Sequence, residues 1–382
     1  MRLRSALGVG VLGFVLFEVA NIYLVMPLPG SQRLPSLPLA YALYQWRWPV
    51  RALCGVLMLA GLSDAWRAGR GWRIGGGLAI AAAAAVAYGT NFVMAADHMF
   101  RQPRSLIFKP APQNQVPGDR LVVGVDLDGE ARAYPLRFIG YHHQVRDSVG
   151  GREVLVTYCT VCRTGRVFSP IVDGKSERFR LVGMDSWNAM FEDGSTGSWW
   201  RQATGAAVTG SRKGARLAVI PSQQMALHEW LELHPASLVM QADPAFADEY
   251  PKDDAFEKGT SRKTLTGTDP DSWKEKSWVV GISLGGKSKA YDWNRLHRER
   301  VINDAVGKTP LVLVLAADGA SFFAFERPDV EAVFELHEES LVSAAGTYTL
   351  WGTSSSGSLK PIAASQEFWH SWRTFHPDTE RY

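Results

Sequence analysis

The strongest constraint on the fold of this chain is a repeat within its own sequence. Residues 121–134, LVVGVDLDGEARAY, resemble residues 278–291, WVVGISLGGKSKAY, and Val279 follows Val122 by 157 residues. Self-similarity over such a distance indicates that one supersecondary unit occurs twice. The two units are therefore expected to share a fold.

The same spacing relates residues 145–150 to residues 302–307. Near the end of each segment a tryptophan precedes a His-Pro pair, and Trp372 follows Trp230 by 142 residues. We therefore predict two pseudo-equivalent copies joined by a charged, turn-rich connector. The first copy covers residues 115–240, the connector 241–276 and the second copy 277–380.

Both copies have mainly the pattern of β-strands. β-branched residues are concentrated around Val122 and Val154, and such residues fit a pleated, half-buried surface. The Asp-Gly pair at 128–129 is typical of a two-residue type I′ hairpin turn. A helix is predicted from Ser222 to Leu233, with Ser222 as its cap. The expected class is a mainly β (α+β), duplicated domain.

The first copy carries two cysteines in a Cys-x-x-Cys turn. Cys159 and Cys162 lie between two apolar runs, a pattern that predicts strand, turn and strand. Two thiols at this spacing can share one metal ion or close a disulfide. At the repeat spacing they correspond to Ala316 and Gly319, so the fold does not require thiols there. This favours a functional site in the first copy, although a disulfide confined to one copy would give the same pattern.

A soft-metal site is the leading interpretation of the cysteine pair. Thiolates combined with imidazole suit zinc or copper(I), and His142 or His143, predicted to lie on the strand before Asp147, is expected to complete the site. Met184 and Met190 are further candidates as thioether ligands, which would favour copper, but each alone is more typical of a core methionine. A haem is not expected, because Arg163 rather than histidine follows the second cysteine.

Two other interpretations of the cysteine pair are open. The first is dithiol–disulfide redox chemistry, although strands on both sides disfavour a thioredoxin-like fold, which places the motif at a helix N-terminus. The second is a static disulfide in a non-catalytic envelope interaction module. The sequence contains no recognisable phosphate loop or dinucleotide fingerprint, so no nucleotide cofactor is expected.

A further group of residues is expected to form a pocket near the cysteine turn. Aromatic and polar side chains are mixed within residues 193–202, and such a mixture is common in small-molecule sites. A packed β-turn with tryptophan in the core explains the pattern equally well. The predicted pocket residues are Tyr158, Asp193, Trp200 and Gln202.

Motifs spread over residues 115–377 resemble those of a known family. They include Tyr158-Cys-Thr-Val-Cys-Arg-Thr164, the Trp-Trp-Arg-Gln stretch at 199–202 and the closing His-Pro-Asp-Thr at 376–379. Together they resemble DUF3179, a bacterial family of membrane-anchored domains of unknown function. The family pattern has proline and glycine in place of Thr160 and Arg163, and an acid in place of His143. The resemblance implies no established activity.

The N-terminal quarter of the chain has the composition of a membrane anchor. Its apolar segments lie at about residues 6–26, 50–65 and 74–96, and about 20 apolar residues suffice to span a bilayer. The middle segment is short. A cleaved signal peptide is the rival interpretation of the first, but no small-x-small site follows it. We predict a three-helix transmembrane anchor over residues 1–97.

The arginines of this region favour three spans over two. If the middle segment crosses, Arg67, Arg70 and Arg73 join Arg2 and Arg4 on one side, as the positive-inside rule requires. The chain is then a multi-pass protein of the inner, cytoplasmic membrane. Its C-terminal domain is expected on the periplasmic side.

The expected partners are the lipid bilayer and an unidentified small molecule or envelope protein. The net charge is +3, and no run of lysine and arginine indicates a nucleic-acid partner. Glu18 lies inside the first apolar segment, where a carboxylate is a candidate for function. A helix–helix contact explains this residue equally well.

Overall fold

The structure is a computed structural model, and the part of the chain that it describes is given by four ranges. Arg2, used in the topology argument, and residues 251–254 of the predicted connector lie outside the described residues. The described residues are 3–250, 255–344, 346–355 and 357–382.

The helices are concentrated at the N-terminus, and a π-helical turn, Gly89–Val93, follows the fourth of them. Short helices then punctuate the β-rich remainder. The α-helices are Leu3–Val25 (α1), Leu37–Gln45 (α2), Arg47–Ala68 (α3), Arg70–Tyr88 (α4), Ala96–Met99 (α5), Leu136–His142 (α6), Leu227–Leu233 (α7), Trp293–Glu299 (α8) and Trp369–Phe375 (α9).

The strands are mostly short, and they form many small sheets, so the fold is mixed α/β with an N-terminal apolar helix. In chain order the strands are Phe108–Pro110 (β1), Leu121–Leu127 (β2), Glu130–Pro135 (β3), Gln144–Val149 (β4), Arg152–Cys159 (β5), Thr164–Phe168 (β6), Ile171–Val172 (β7), Lys175–Ser176 (β8), Phe179–Asp185 (β9), Asn188–Asp193 (β10), Trp199–Arg201 (β11), Gln223–Ala226 (β12), Leu238–Met240 (β13), Trp278–Leu284 (β14), Lys287–Asp292 (β15), Val301–Val306 (β16), Thr309–Leu315 (β17), Phe322–Glu326 (β18), Glu335–His337 (β19), Ser340–Ser343 (β20), Gly346–Thr349 (β21), Thr353–Ser354 (β22), Gly357–Ser358 (β23), Lys360–Pro361 (β24), Ala364–Phe368 (β25) and Glu380–Arg381 (β26).

The chain divides into two compact units that interleave along the sequence. Unit 1 contains the chain up to Arg101 together with Phe179–Trp200 and Ala207–Lys213. The rest belongs to unit 2, which comprises Gln102–Arg178, Arg201–Ala206 and Gly214–Tyr382.

Unit 1 is built on a close pair of helices, α1 and α3. A side chain at Gly10 would lie 2.9 Å from backbone atoms of Cys54 and Met58, so glycine at this position permits the close approach. Two segments, Ser5–Val25 and Arg70–Val93, have the length and apolar composition needed to cross a membrane.

The same unit contains the β9–β10–β11 sheet. Met190 and Trp199 are buried and form a small core with Ala40 of α2. Met184 lies on β9, opposite Ala189 of β10, and is also buried. In the described structure both methionines therefore occupy packed positions in unit 1.

Unit 2 contains a five-stranded sheet in the order β1-β13-β3-β2-β12 and a separate three-stranded sheet, β4-β5-β6. The β2–β3 turn has positive φ at both central residues, Asp128 (50°) and Gly129 (85°). This agrees with the predicted type I′ turn. The indole ring of Trp230 in α7 packs on one face of the larger sheet. It lies over Gly124, where a Cβ would overlap it.

Two four-stranded sheets complete the main body of unit 2, in the orders β25-β14-β15-β26 and β16-β17-β18-β24. Their shared core includes Val280, Tyr291, Leu313 and Phe368. The ring of Trp372 in α9 lies over Gly281 of β14 and excludes a side chain there.

Two local predictions were wrong. The predicted helix from Ser222 begins instead at Leu227, because Gln223–Ala226 pairs with β2 and extends the sheet. His142 and His143, predicted to lie on a strand, stand at the C-terminal end of α6, where His143 has the left-handed φ of 61°. In both places the surrounding structure overrides the local pattern.

Candidate functional site

The Cys159–Cys162 turn joins two paired strands inside unit 2. The last pair of the β5–β6 ladder is Cys159 with Thr164, so the turn begins and ends at hydrogen-bonded strands. This agrees with the predicted strand, turn and strand. Both cysteines are fully buried and are present as thiols. The backbone N–H of Phe368 in β25 donates to the carbonyl of Cys162 at 2.9 Å.

A buried arginine fixes the turn from the inside. Arg163 has φ of 56°, and its fully buried guanidinium stacks 3.6 Å from the ring of Trp278. Its nitrogens donate to Gln366 Oε1 (2.8 Å) and to the carbonyl oxygens of Phe256 (2.7 Å) and Glu257 (2.9 Å). Burial lowers the pKa of Arg163 to about 10. Residues far away in sequence therefore determine the shape of the turn.

Lys276 provides a cation beside the two sulfurs. Its Nζ donates to the carbonyl of Val161, within the turn, at 2.8 Å and to the carbonyl of Leu265 at 2.6 Å. Burial lowers the pKa of Lys276 to about 8, while negative charge on Cys162 and Cys159 opposes that shift. An ammonium group next to a thiol favours the thiolate, which is the form that binds metals and attacks disulfides.

His370 approaches the turn from α9. Its Nε2 lies 3.0 Å from the carbonyl of Val161 and 3.4 Å from Lys276 Nζ. Donation from Nε2–H to the closer carbonyl leaves the lone pair on Nδ1. Burial first, and then the charge of Lys276, lowers the pKa of His370 to about 3, so the imidazole is neutral at neutral pH.

Two polar atoms around the turn are buried and have no hydrogen-bond partner in the part of the chain that the structure describes. They are Nδ1 of His370 and the phenolic oxygen of Tyr158. Burial raises the pKa of Tyr158, so the phenol stays protonated. Buried polar atoms are usually satisfied, and exceptions are common at functional sites or where an ion or water binds. The pair therefore marks the surroundings of the turn as a candidate ligand site.

The predicted histidine ligands are buried at the end of α6. His142 Nε2 lies 2.8 Å from the hydroxyl of Tyr250, and His143 Nδ1 lies 3.2 Å from the carbonyl of Tyr141. The carbonyl of His143 accepts a hydrogen bond from the N–H of Tyr158 at 3.0 Å. This bond links the histidine pair to β5. Burial lowers the pKa of His143 to about 4, which keeps its imidazole neutral.

The predicted pocket residues fall into different units. Asp193 and Trp200 lie in unit 1, where Trp200 Nε1 donates to Asp193 Oδ2 at 2.8 Å. Gln202 lies in unit 2 and donates to Thr157 Oγ1 (3.1 Å) and to the carbonyl of Thr164 (2.9 Å). Gln202 thus joins the two strands that carry the turn, while the Asp193–Trp200 contact has the geometry of a packed β-turn.

A cavity of about 450 Å³ in unit 2 adjoins the start of β6. Gly165 and Arg166, three and four residues after Cys162, line it together with Gln366. Arg166 pairs with the buried carboxylate of Glu367, which also accepts from Thr164 Oγ1 at 3.1 Å. The cavity could hold a small molecule next to the polar groups that lead to the turn.

A different group of possible ligands was not anticipated. Among the described residues, ligand atoms of His228, Glu229 and Asp318 lie within 4.8 Å of one another. Neither cysteine belongs to that group. Exposed acidic groups are common without an ion, so this observation alone assigns no site there.

Sequence reasoning missed the two residues that contribute most to the environment of the cysteines. Lys276 ends the charged connector and His370 lies 208 residues after Cys162. No local spacing relates either residue to the turn. At the 142-residue offset His370 corresponds to His228 of the first segment, so the repeat gave no signal that singled out His370.

Comparison with known proteins gives one result. The model of a family described as a protein of unknown function, DUF3179, matches residues 104–379. No curated protein and no solved structure matches the chain. The match covers most of the sequence and includes the whole cysteine turn, in agreement with the predicted resemblance. The chain belongs to the DUF3179 family.

Proposed function

We propose that the Cys159–Cys162 turn binds a soft metal ion, with copper(I) preferred over zinc. The observation that carries the proposal is the placement of Lys276, whose partly buried ammonium donates to the carbonyl of Val161 inside the turn at 2.8 Å. Two thiolates and one copper(I) ion carry a net charge of −1. A buried charge requires a counter-charge, and Lys276 supplies it.

Zinc fits this environment less well. A zinc ion bound by two thiolates is neutral and would leave the positive charge of Lys276 without a counter-charge, whereas a copper(I) dithiolate unit matches that charge. His142 and His143 are proposed as additional ligands. His370 joins this set, because Nδ1 is its buried, unpartnered atom.

Thiol redox chemistry is the second candidate. The same ammonium that balances a copper–dithiolate unit also favours a reactive thiolate. Complete burial of both sulfurs limits access by a large disulfide partner. Copper binding, with or without electron transfer at the bound ion, is therefore the better-supported reading, and a structural disulfide in an interaction module is the alternative.

The site is proposed to belong to the first of two copies of one fold, residues 115–240 and 277–380. Matching contacts support the duplication: the Tyr134 hydroxyl donates to Asp147 (2.7 Å), and the Tyr291 hydroxyl donates to Asp304 (3.0 Å). The two contacts occupy equivalent positions at the repeat spacing.

We further propose that residues 1–97 form a three-span anchor and that the site faces the periplasm. The two membrane-length apolar segments support an anchor. The third span would be α3, Arg47–Ala68, which is long enough to cross a bilayer at 22 residues. Two spans would leave the arginines of both loops on the outer side, against the positive-inside rule.

Metal and thiol analysis of the full chain tests the proposal. Protein purified in mild detergent and reconstituted with copper(I) under anaerobic conditions should hold about one copper per chain. A Cys159→Ser/Cys162→Ser double variant should hold none, whereas Cys54→Ser, the matched control, should retain it. Zinc bound more tightly than copper(I) would contradict the preference, and a stable disulfide without metal would support the interaction module.

A variant of Lys276 tests directly whether its charge stabilises the bound copper(I). Lys276→Met should lower copper(I) affinity at least about tenfold, because an ion pair at an effective dielectric constant of about 20 contributes several kcal/mol. Lys274→Met removes the same charge two residues away, at an exposed position, and should have little effect. Equal affinities of the two variants, measured by competition with a copper(I) chelator, would remove the basis of the charge argument.

A further inference from the structure

Unit 1 contains a cavity of about 790 Å³ that the proposed metal site does not use. Its walls are mainly apolar and aromatic, with Phe14 and Ile22 from α1, Ala87 from α4 and Trp199 from β11. A volume of this size holds a chain-bearing organic molecule rather than a lone ion. The lining also includes a small number of charged side chains, and these define what kind of molecule fits.

A buried polar network occupies one part of the lining. The Glu18 carboxylate, only 1% exposed, accepts from Arg51 Nε at 2.6 Å and from Arg51 Nη2 at 2.9 Å. Asn91 Nδ2 donates to the same carboxylate at 2.7 Å and its Oδ1 accepts from Arg51. The network ties α1 to α3 and to the π-helical turn Gly89–Val93. It neutralises Glu18, so this carboxylate is not the ligand-binding charge.

A second ion pair accounts for another arginine of the lining. Arg180 lies 3.1 Å from Asp97 and 2.8 Å from Glu192. The two carboxylates of the lining, Glu18 and Asp97, are therefore paired with Arg51 and Arg180, and Arg180 also serves Glu192 just outside the lining.

Arg47 is the cation that the surroundings leave unmatched. Its Nη1 donates to the carbonyl of Tyr44 at 2.6 Å, and its guanidinium stacks 3.7 Å from the Tyr44 ring. Among the described residues, no carboxylate forms an ion pair with it. The guanidinium fork presents further donors suited to a phosphate, and the cavity thus combines apolar walls with one arginine that forms no ion pair among the described residues.

We infer that this cavity binds an anionic phospholipid, with the phosphate at Arg47 and an acyl chain along the apolar walls. The adjoining segments, Ser5–Val25 and Arg70–Val93, have membrane-spanning composition and are mostly not covered by the rest of the protein. A bilayer lipid could therefore enter between them. This inference is independent of the cysteine turn; it rests on the proposed membrane location only for the source of the ligand.

Native mass spectrometry of the full chain in detergent tests the assignment. Dioleoylphosphatidylglycerol, which is anionic, should bind about tenfold more tightly than zwitterionic dioleoylphosphatidylcholine, since the choline ammonium of the latter offsets the phosphate charge and weakens its charge-assisted contact with Arg47. Arg47→Gln should abolish the preference. Arg33→Gln removes the same charge from an exposed position of unit 1 outside the lining and should retain it.

A cavity-filling pair locates the acyl chain. Ala87→Phe projects into the lining and should weaken binding of both lipids, whereas Ala82→Phe, exposed on the same helix and outside the lining, should not. Equal binding of the two lipids, a preference that survives Arg47→Gln, or unchanged binding by Ala87→Phe would each overturn the inference. Displacement of the lipid by millimolar inorganic phosphate would also overturn it and assign a free-phosphate site. The Cys159→Ser/Cys162→Ser variant should bind lipid normally.

Discussion

Two hairpin turns of unit 2 occupy equivalent positions at the repeat spacing and are stabilised in opposite ways. The turn between β17 and β18 is local: Asp318 accepts from the N–H groups of Ala320 and Ser321 at 2.8 Å each and from the Ser321 hydroxyl at 2.6 Å. The turn between β5 and β6 depends on Arg163, whose partners lie 93 to 203 residues away.

The difference shows what the cysteine turn gains from its position. A turn closed by its own aspartate can stand at a surface, and Ala317 and Asp318 are partly or fully exposed. A turn held by distant residues is surrounded by them, so Cys159 and Cys162 are fully buried. Its thiols therefore experience charges, such as Lys276, that the local sequence does not contain.

The largest difference between the two turns is expected when Arg163 is replaced. Arg163→Met should lower the free energy of unfolding by about 4 kcal/mol, because it deprives several buried acceptors of their donor. Chemical denaturation of the full chain in detergent measures this loss. The counterpart change, Asp318→Ala, should cost about 1 kcal/mol, since water can partly replace hydrogen bonds at a half-buried turn next to the exposed Ala317. Equal losses would show that the two turns do not differ in how they are held.

The next largest effect is expected in the pH dependence of stability, to which the buried histidines around the cysteine turn contribute. The pKa of His143 is about 4 in the folded protein and that of His370 about 3, both lowered by burial, against about 6.5 in the unfolded chain. Their contribution to stability is therefore present above pH 6.5 and is lost as the pH falls. For His143 alone the loss between pH 6.5 and 4 is about 3 kcal/mol.

Unfolding midpoints at several pH values measure the acid effect. His143→Asn should flatten the dependence, since asparagine tolerates the left-handed φ at this position and does not titrate. His337 is an exposed histidine of the second segment, and His337→Asn should leave the dependence unchanged. A similar flattening by both variants would contradict the difference in burial.

The smallest expected effect on stability concerns a feature that both segments share, a tryptophan ring packed on a strand glycine. A Cβ at Gly124 would overlap the ring of Trp230, and a Cβ at Gly281 would overlap the ring of Trp372. Either glycine-to-alanine change should cost about 2 kcal/mol through overpacking. Ser283→Ala, exposed on β14, is the control. Losses that differ by more than about 1 kcal/mol would argue against equivalent packing in the two copies.

Much of the local structure was predictable because local chemistry determines it. The type I′ turn at Asp128-Gly129 follows from the need for positive φ at two successive residues. The strands around Cys159 follow from β-branched runs. In contrast, Gln223–Ala226 has a helical pattern but pairs with β2, so sheet extension overrides propensity there.

The site was predictable only in part, for a related reason. Spacing alone brought Cys159 and Cys162 together, because both lie on one turn. Lys276 and His370 reach the carbonyl of Val161 only through the tertiary fold. The expectation that Glu18 makes a helix–helix contact agrees with its hydrogen bonds to Arg51 and Asn91.

The interleaving of the two units affects how the protein can be made and cut. Unit 1 is completed only when Ala207–Lys213 has left the ribosome, well after its apolar helices have emerged. The helices therefore emerge before the strands they pack against, while the first part of unit 2 is synthesised. A truncation near residue 102, the obvious soluble fragment, would leave Phe179–Trp200 without the helices it packs against. Secretion of such a fragment would expose Met190 and Trp199, and aggregation rather than a minimal domain is the expected product.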